Sequence, residues 1–299
     1  MSQAELIWDA HNSVGESPVW SVAEQALYWV DIPATTLHRL VPATGVRNSW
    51  RTPEMLACIA AHPAGGFIAG METGLFHVQP QAGNQSQCSL LATVEHGAPG
   101  MRFNDGRCDR QGRFLAGTMV INMTLGQHAG VLYSYQNGSA LRVLMGDLVT
   151  PNGLAFSPDG RTMYLSDSHP SVQKIWAFHY DTGTGTPSNK RVFVDMASLP
   201  GRPDGAAIDI DGCYWICGND AGLVHRFTPD GKLDRSLAVP VKKPAMCAFG
   251  GPALDTLFVT SIRPDHIDLA DQPLAGGLFA LRPGVCGLPE PAFNPQPSP

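Results

Sequence analysis

The 299-residue sequence predicts an all-β fold, a six-bladed β-propeller built around a central channel. Three observations carry this expectation: one phrase recurs six times, its joints hold hairpin-turn residues, and the recurrences are spaced as propeller blades are. Each phrase opens with a short apolar strand, makes a glycine-containing turn, runs a second strand rich in β-branched and aromatic residues, and continues to a third. The first reads VWSVAEQALYWVDI then TTLHRLVPATG, and the second CIAAHPAGGFIAG then GLFHVQPQAG. The third is GRCDRQGRFLAGT then GVLYSYQNG, and the fourth LAFSPDGRTMYLSD then IWAFHYDTGTG. The fifth is AAIDIDGCYWICG then LVHRFTPDG, and the sixth CAFGGPALDTLFVTS then GGLFALRPG. Asp159-Gly160, Asp211-Gly212 and Asp230-Gly231 supply the turn chemistry between alternating segments.

Aligned on the residue eight before the first-hairpin turn, the phrases share anchors at Glu16, Ala57, Asn104, Asn152, Asp204 and Ala245, separated by 41, 47, 48, 52 and 41 residues. A β-sandwich accounts for strands every ~8–12 residues but gives no reason for one phrase to recur six times. The segment AELIWDA precedes the first anchored unit and is placed to lend an outer strand to the last blade, closing the ring. Residues 1–283 are read as one propeller domain. The tail over 284–299 is read as an extended surface coil, since six prolines fall between Pro283 and Pro299 and no strand pattern does.

Composition narrows the function classes. With 43% hydrophobic and 15% charged residues the chain can bury a large core. A formal charge of −6, and a longest basic run of only Lys242-Lys243, leave no footprint for a nucleic-acid backbone. No apolar stretch nears the ~18 residues of a membrane helix, and MSQAELIWDAHN lacks the basic start and apolar core of a leader, so a soluble, cytoplasmic protein is expected. Seven cysteines, without a C-x-x-C, point to small buried hydrophobes rather than disulfides or a thiolate zinc site. The oligomeric state is left open.

In a propeller the innermost strands line the channel, so equivalent anchors form a ring at one mouth. Two blades present alanine there; four present Glu16, Asn104, Asn152 and Asp204. Four polar groups in one ring need a water cluster, an ion or a ligand as partner. Two carboxylates with one or two amide oxygens carry a formal charge of −2 and suit one divalent cation: calcium, magnesium or manganese best, with zinc and iron(II) still open. Such a cation polarises a carbonyl for attack by water while a carboxylate takes the proton, which makes esters and lactones natural substrates. Asp204 can serve as ligand and general base, and Glu16 as a charge-balancing ligand; spacing alone does not separate the roles. Arg102 stands two residues before Asn104, so both side chains share one strand face and offer donors to hydroxyls or a carboxylate.

At these residues the chain resembles the SMP-30/gluconolactonase/luciferin-regenerating family. The resemblance runs from GESPVW at Gly15–Trp20 through RFNDGR, FLAGTM, PNGLAFSPDG and RPDGAAID to FGG at Phe249–Gly251 and the late PLAGGLFAL. It implies a six-bladed propeller with one divalent metal held by Glu16, Asn152 and Asp204, substrate contacts from Arg102 and Asn104, and Asp204 as base. The implied activity is metal-dependent hydrolysis of a sugar-acid lactone to the free aldonic acid, with a small-molecule substrate and no nucleic-acid or membrane partner. One position departs. Regucalcin-like members follow the GTM motif with a substrate-contacting Glu, whereas this chain has Asn122. Losing that negative charge makes an anionic lactone, such as a 6-sulfo sugar, more tolerable. Two other readings keep the metal: a phosphotriesterase-like hydrolase, and a non-catalytic metal- or ligand-sensing propeller. No G-x-S-x-G, H-E-x-x-H or P-loop competes with them.

Overall fold

In a computed structural model of the chain, which describes residues 4–136, 138–265 and 267–296, the six phrases fold as six four-stranded antiparallel sheets. The inner strands are Gly15–Ser21, Cys58–Ala61, Met101–Cys108, Pro151–Phe156, Arg202–Ile208 and Pro244–Gly250, numbered here as blades one to six. Each packs against the inner strands on both sides, so the sheets close into a ring around one axis. The inner and second strands are buried along nearly their whole length, and their residues are accordingly apolar or small.

The phrase read from the sequence had three parts, and each blade adds a fourth, outer strand. Val46–Arg51 and Thr186–Asp195 are such strands, mostly exposed and polar, which is why their alternation is faint. In blade six the outer strand is Glu5–Trp8, paired antiparallel with Leu278–Leu281, as the ring-closing reading requires. The clasp continues beside it. Asn12 donates from its backbone N and its Nδ2 to the Gly276 carbonyl at 2.9 and 2.8 Å, and its own carbonyl accepts from Arg263 N at 3.0 Å. Trp8 meets Trp29 of blade one edge-on at 5.0 Å.

Neighbouring blades interlock through aromatic pairs. Tyr28 meets Phe67 at 4.8 Å between blades one and two, Tyr164 meets Tyr214 at 5.0 Å between four and five, and Trp20 stacks on Phe258 at 5.7 Å between one and six. Such pairs add ~0.5–1.5 kcal/mol beyond the area they bury. Trp20, Trp29 and Trp215 are core residues, and Trp176 is half-buried beneath the Lys190 ammonium. All seven cysteines are free thiols, five of them buried. Among the described residues no helix is long and apolar enough to cross a membrane.

The proline-rich tail is a coil, but it does not lie loosely on the surface. The Cys286 carbonyl accepts from Ile210 N, Gly287 N donates to Leu254 O, Phe293 N to Ala61 O and Asn294 N to Gly112 O, at 2.8–3.0 Å. The tail thus crosses the hairpin-turn end of the channel from blades five and six to blades two and three. Phe293, 2% exposed, stacks between Tyr135 at 5.9 Å and His62 at 5.5 Å. Proline supplies the extended backbone without donors to satisfy, and the phenylalanine supplies the burial.

Deleting residues 1–10 removes the closing strand and is expected to lower the melting temperature by about 5 °C or more in a thermal circular-dichroism scan. Phe293→Ala is expected to cost about 3–5 kcal/mol in urea unfolding, the range for a truncated buried aromatic.

Candidate active site

Every inner strand enters its blade from the same end, so the anchors Glu16, Asn104, Asn152 and Asp204 come to one mouth with Ala57 and Ala245 between them. A bulge marks this level. In five blades the first two strands slip register just after the anchor, between Glu16 and Val19, Phe103 and Gly106, Asn152 and Ala155, Pro203 and Ala206, and Pro244 and Cys247. A bulge bends the strand and re-aims the neighbouring side chain. Blade two, with Ala57 as its anchor, keeps its register. At the bulge of blade four Gly153 has φ +59°, and a Cβ there would collide with Tyr214 Oη and lie 2.7 Å from Ser166 Oγ. The glycine of PNG is therefore a steric requirement of the turn that presents Asn152.

Three of the expected residues form one chain of hydrogen bonds that ends on Ser168, and the fourth, Asp204, is held separately by Asn219. Arg102 Nη1 donates to Asn104 Oδ1 at 2.8 Å and to its neighbour's carbonyl, Phe103 O, at 2.7 Å. Asn104 Nδ2 donates to Asn152 Oδ1 at 3.1 Å and to Pro151 O at 2.9 Å, and Asn152 Nδ2 donates to Ser168 Oγ at 2.7 Å. Asn219 Nδ2 donates to Asp204 Oδ2 at 2.6 Å. All of these side chains are buried.

The two anchor carboxylates share a poorly solvated space. Burial pushes the Glu16 carboxyl well above the usual range, the charges of Asp204 and Asp105 push it further, and the Ser17 N–H and Arg102 oppose them. Asp204 is pushed up to about 7, chiefly by burial, against the pull of the Asn219 hydrogen bond and of Arg202. Burial also draws the Arg102 guanidinium down to about 10, while Glu16 opposes that shift. Arg102 and Arg202 oppose these shifts without reversing them, and Asp105 adds a third carboxylate whose Oδ1 is buried without a hydrogen-bond partner.

A divalent cation suits this donor set: it would replace the solvation that Glu16 and Asp204 have lost. Among the described residues no group of three or more His, Cys, Asp or Glu could hold a metal by itself. An ion at this mouth therefore has to draw on amide oxygen as well, and Asn152 offers it.

Asn122 stands apart. It is exposed, and its Oδ1 accepts from Thr124 N at 3.2 Å and Thr124 Oγ1 at 2.7 Å, capping the single 3-10 turn Met123–Leu125. His169 Nε2 lies 3.1 Å from Met123 O and ties this loop to blade four. Ser168 and Asn219 were missed by the sequence reading. They occupy equivalent positions, each one residue beyond the partner of the proline before the anchor, Asp167 opposite Pro151 and Gly218 opposite Pro203. Extending the repeat alignment by one strand would have paired them.

A cavity of about 400 Å³ lies elsewhere, at the hairpin-turn end of blades one to three, between Trp20, Tyr28, His62, Phe67, Arg107 and the tail residue Glu290. None of the four polar anchors lines it.

A sequence profile described as the SMP-30/gluconolactonase/LRE-like region matches residues 14–263. The chain belongs to this family. It is 41% identical over 284 residues to the 6-deoxy-6-sulfogluconolactonase of Pseudomonas putida, covering 94% of each chain. It is 34% identical over 292 residues to zebrafish (Danio rerio) regucalcin, covering 96% of this chain and 97% of the relative. The crystal structure of a regucalcin from Agrobacterium tumefaciens, described as a calcium-binding protein, superposes with a TM-score of 0.90 at 30% identity, covering 98% and 97% of the two chains. The six-bladed propeller of this family is the fold expected from the repeats.

The folded Asp204 carboxyl keeps its proton up to about 7, whereas an unfolded one releases it near 3.8. The folded state therefore binds more protons between these values, and chelator-treated protein loses stability as pH rises through the window. Asp204→Asn removes that loss. In urea unfolding with chelator present, the stability of the variant relative to wild type is expected to increase from about pH 4 to pH 7 by at most about 4 kcal/mol, and then to level off.

Proposed function

We propose that this protein is a metal-dependent lactonase that hydrolyses a sugar-acid lactone to the free aldonic acid. The observation that carries the reading is the pair of buried carboxylates, Glu16 and Asp204, at one mouth with Asn152 and beside the Arg102–Asn104 pair. Its likeness to a sulfogluconolactonase over nearly the whole chain supports the substrate class.

Glu16, Asn152 and Asp204 would hold one divalent cation, with calcium favoured by the hard oxygen donors and by the calcium-binding description of the Agrobacterium relative. When bound, the cation supplies positive charge that polarises the lactone carbonyl and steadies the oxyanion made by water attack. The chain's own groups do the rest. Arg102 and Asn104 bind the sugar hydroxyls and orient the ring. Asp204 accepts a proton from the attacking water as its oxygen adds to the acyl carbon, then returns it to the ring oxygen as the acyl–oxygen bond breaks. Asn219 holds the Asp204 carboxylate in one orientation throughout, by the 2.6 Å bond to Oδ2. A lactone with an anionic group at its far end, of which a 6-sulfo sugar is the leading instance, is favoured by the likeness to the Pseudomonas sulfogluconolactonase.

The test is proton release from neutral and anionic aldonolactones by protein stripped with chelator and resupplied with single divalent metals. Turnover restored by metal on a subset of lactones is expected; metal binding without turnover on any lactone would favour a ligand-sensing propeller. Asp204→Asn is expected to lose about 10³-fold in kcat, and Arg102→Ala chiefly to raise KM, by about 10-fold or more. Equal losses in kcat would contradict this division of roles.

A further inference from the structure

The repeat that brings the anchors together also defines a second ring, two residues upstream, at or just before the start of each inner strand. That ring reads Val14, Met55, Arg102, Thr150, Arg202 and Lys243. It holds three cations and no acid, directly beside an anchor ring with two acids and no cation. Arg102 faces the buried anchors, as its bond to Asn104 shows. The other two cations stand in the adjacent blades five and six, and both reach the carboxylate of Asp220. Arg202 Nε lies 2.6 Å from Asp220 Oδ2, and Lys243 Nζ pairs with Oδ1.

Two positive charges on one carboxylate leave an excess of one. Arg202 Nη1 also donates to Ser168 O at 3.0 Å, and Nη2 reaches Asn219 Oδ1 at 3.5 Å. These contacts occupy three of the five N–H groups of a guanidinium. The cluster is open to solvent, with side-chain exposures of 20% for Arg202, 26% for Lys243 and 41% for Asp220. It also adjoins the reacting end, because Asn219 accepts from Arg202 and donates to Asp204. Asp220 therefore acts as a spacer that holds an arginine and a lysine apart at the rim, with donors left for a further anion.

We propose that Arg202 and Lys243 are specificity-determining residues that bind a tetrahedral oxyanion, a sulfonate or phosphate, at the far end of a lactone whose carbonyl sits at the anchor ring. The assignment rests on the lactonase reading of the anchors and adds the pocket for the distal group.

The experiment compares gluconolactone, 6-deoxy-6-sulfogluconolactone and 6-phosphogluconolactone on metal-loaded wild type, Arg202→Gln, Lys243→Gln and the double variant. The expected result is a wild-type preference for an anionic lactone, expressed in KM. The ratio of kcat/KM on the anionic to the neutral lactone should fall about 10-fold in each single variant and further in the double, with part restored by Arg202→Lys. Added salt should weaken the anionic reaction and not the neutral one. Whichever anionic lactone shows the larger dependence identifies sulfonate or phosphate as the group bound. Since Arg202 also braces Ser168 and Asn219, Lys243→Gln keeps the test readable should Arg202→Gln misfold. A ratio unchanged in Lys243→Gln and the double variant, or no wild-type preference, overturns the proposal. Calorimetric titration with 6-deoxy-6-sulfogluconate and gluconate separates the two readings. If wild type opens no lactone yet binds the sulfonate more tightly in a manner lost in the variants, the lactonase reading fails and the anion site stands; equal binding of both acids refutes the site.

Discussion

Closure of the ring is the constraint on which the rest of the structure depends. A sheet edge left open at blade six would expose a row of unpaired N–H and C=O groups, and the six inner strands would lose the mutual packing that sets their distance from the axis. The pairing of Glu5–Trp8 covers the Leu278–Leu281 edge with a strand from the start of the chain, and the bonds of Asn12 to Gly276 and Arg263 lock the first blade to the last. The aromatic pairs between blades then fix the angle of each sheet against its neighbour. Only in a closed ring do Glu16 at the start of the chain and Asp204 two-thirds of the way along it come to one mouth.

Bringing them together has an electrostatic cost that the fold does not remove. The acids are taken out of water with Arg102 as the cation at their level, so both carboxyls are pushed upward. Structures that tolerate such strain tend to use it, and here the donor set matches a hard divalent cation. Ser168, which accepts from Asn152, and Asn219, which donates to Asp204, stand on the second strands or just beyond them and hold these anchors while leaving the acids unneutralised. At the opposite end the tail crosses the channel, with the half-buried Arg107–Glu290 pair at 3.2 Å joining it to blade three.

Much of this was legible in the sequence, and the reasons are specific. The blades could be found because inner and second strands are buried and so must repeat an apolar pattern; the outer strands escaped because exposed strands need not. The anchors could be found because each stands eight residues before the first hairpin turn of its blade, and a fixed strand length repeats that spacing six times. Arg102 could be paired with Asn104 by strand alternation, and the 2.8 Å bond between them fits that. The burial of the tail was not legible, since one phenylalanine among prolines carries no period.

The number of blades, their order, and the residue types at equivalent steps are written in the amino-acid order alone, because each follows from a local pattern repeated along one dimension. Tertiary structure decided what those residues meet. Asn122 was a candidate for the site and is turned back on Thr124, because a one-turn helix in its loop needs the cap. Asn219, Ser168 and the Arg202–Asp220–Lys243 cluster join the anchors through contacts across strands and across blades, and no spacing along the chain encodes a distance between two blades. That distance is set by ring closure and side-chain packing, which exist only once all six sheets are in place.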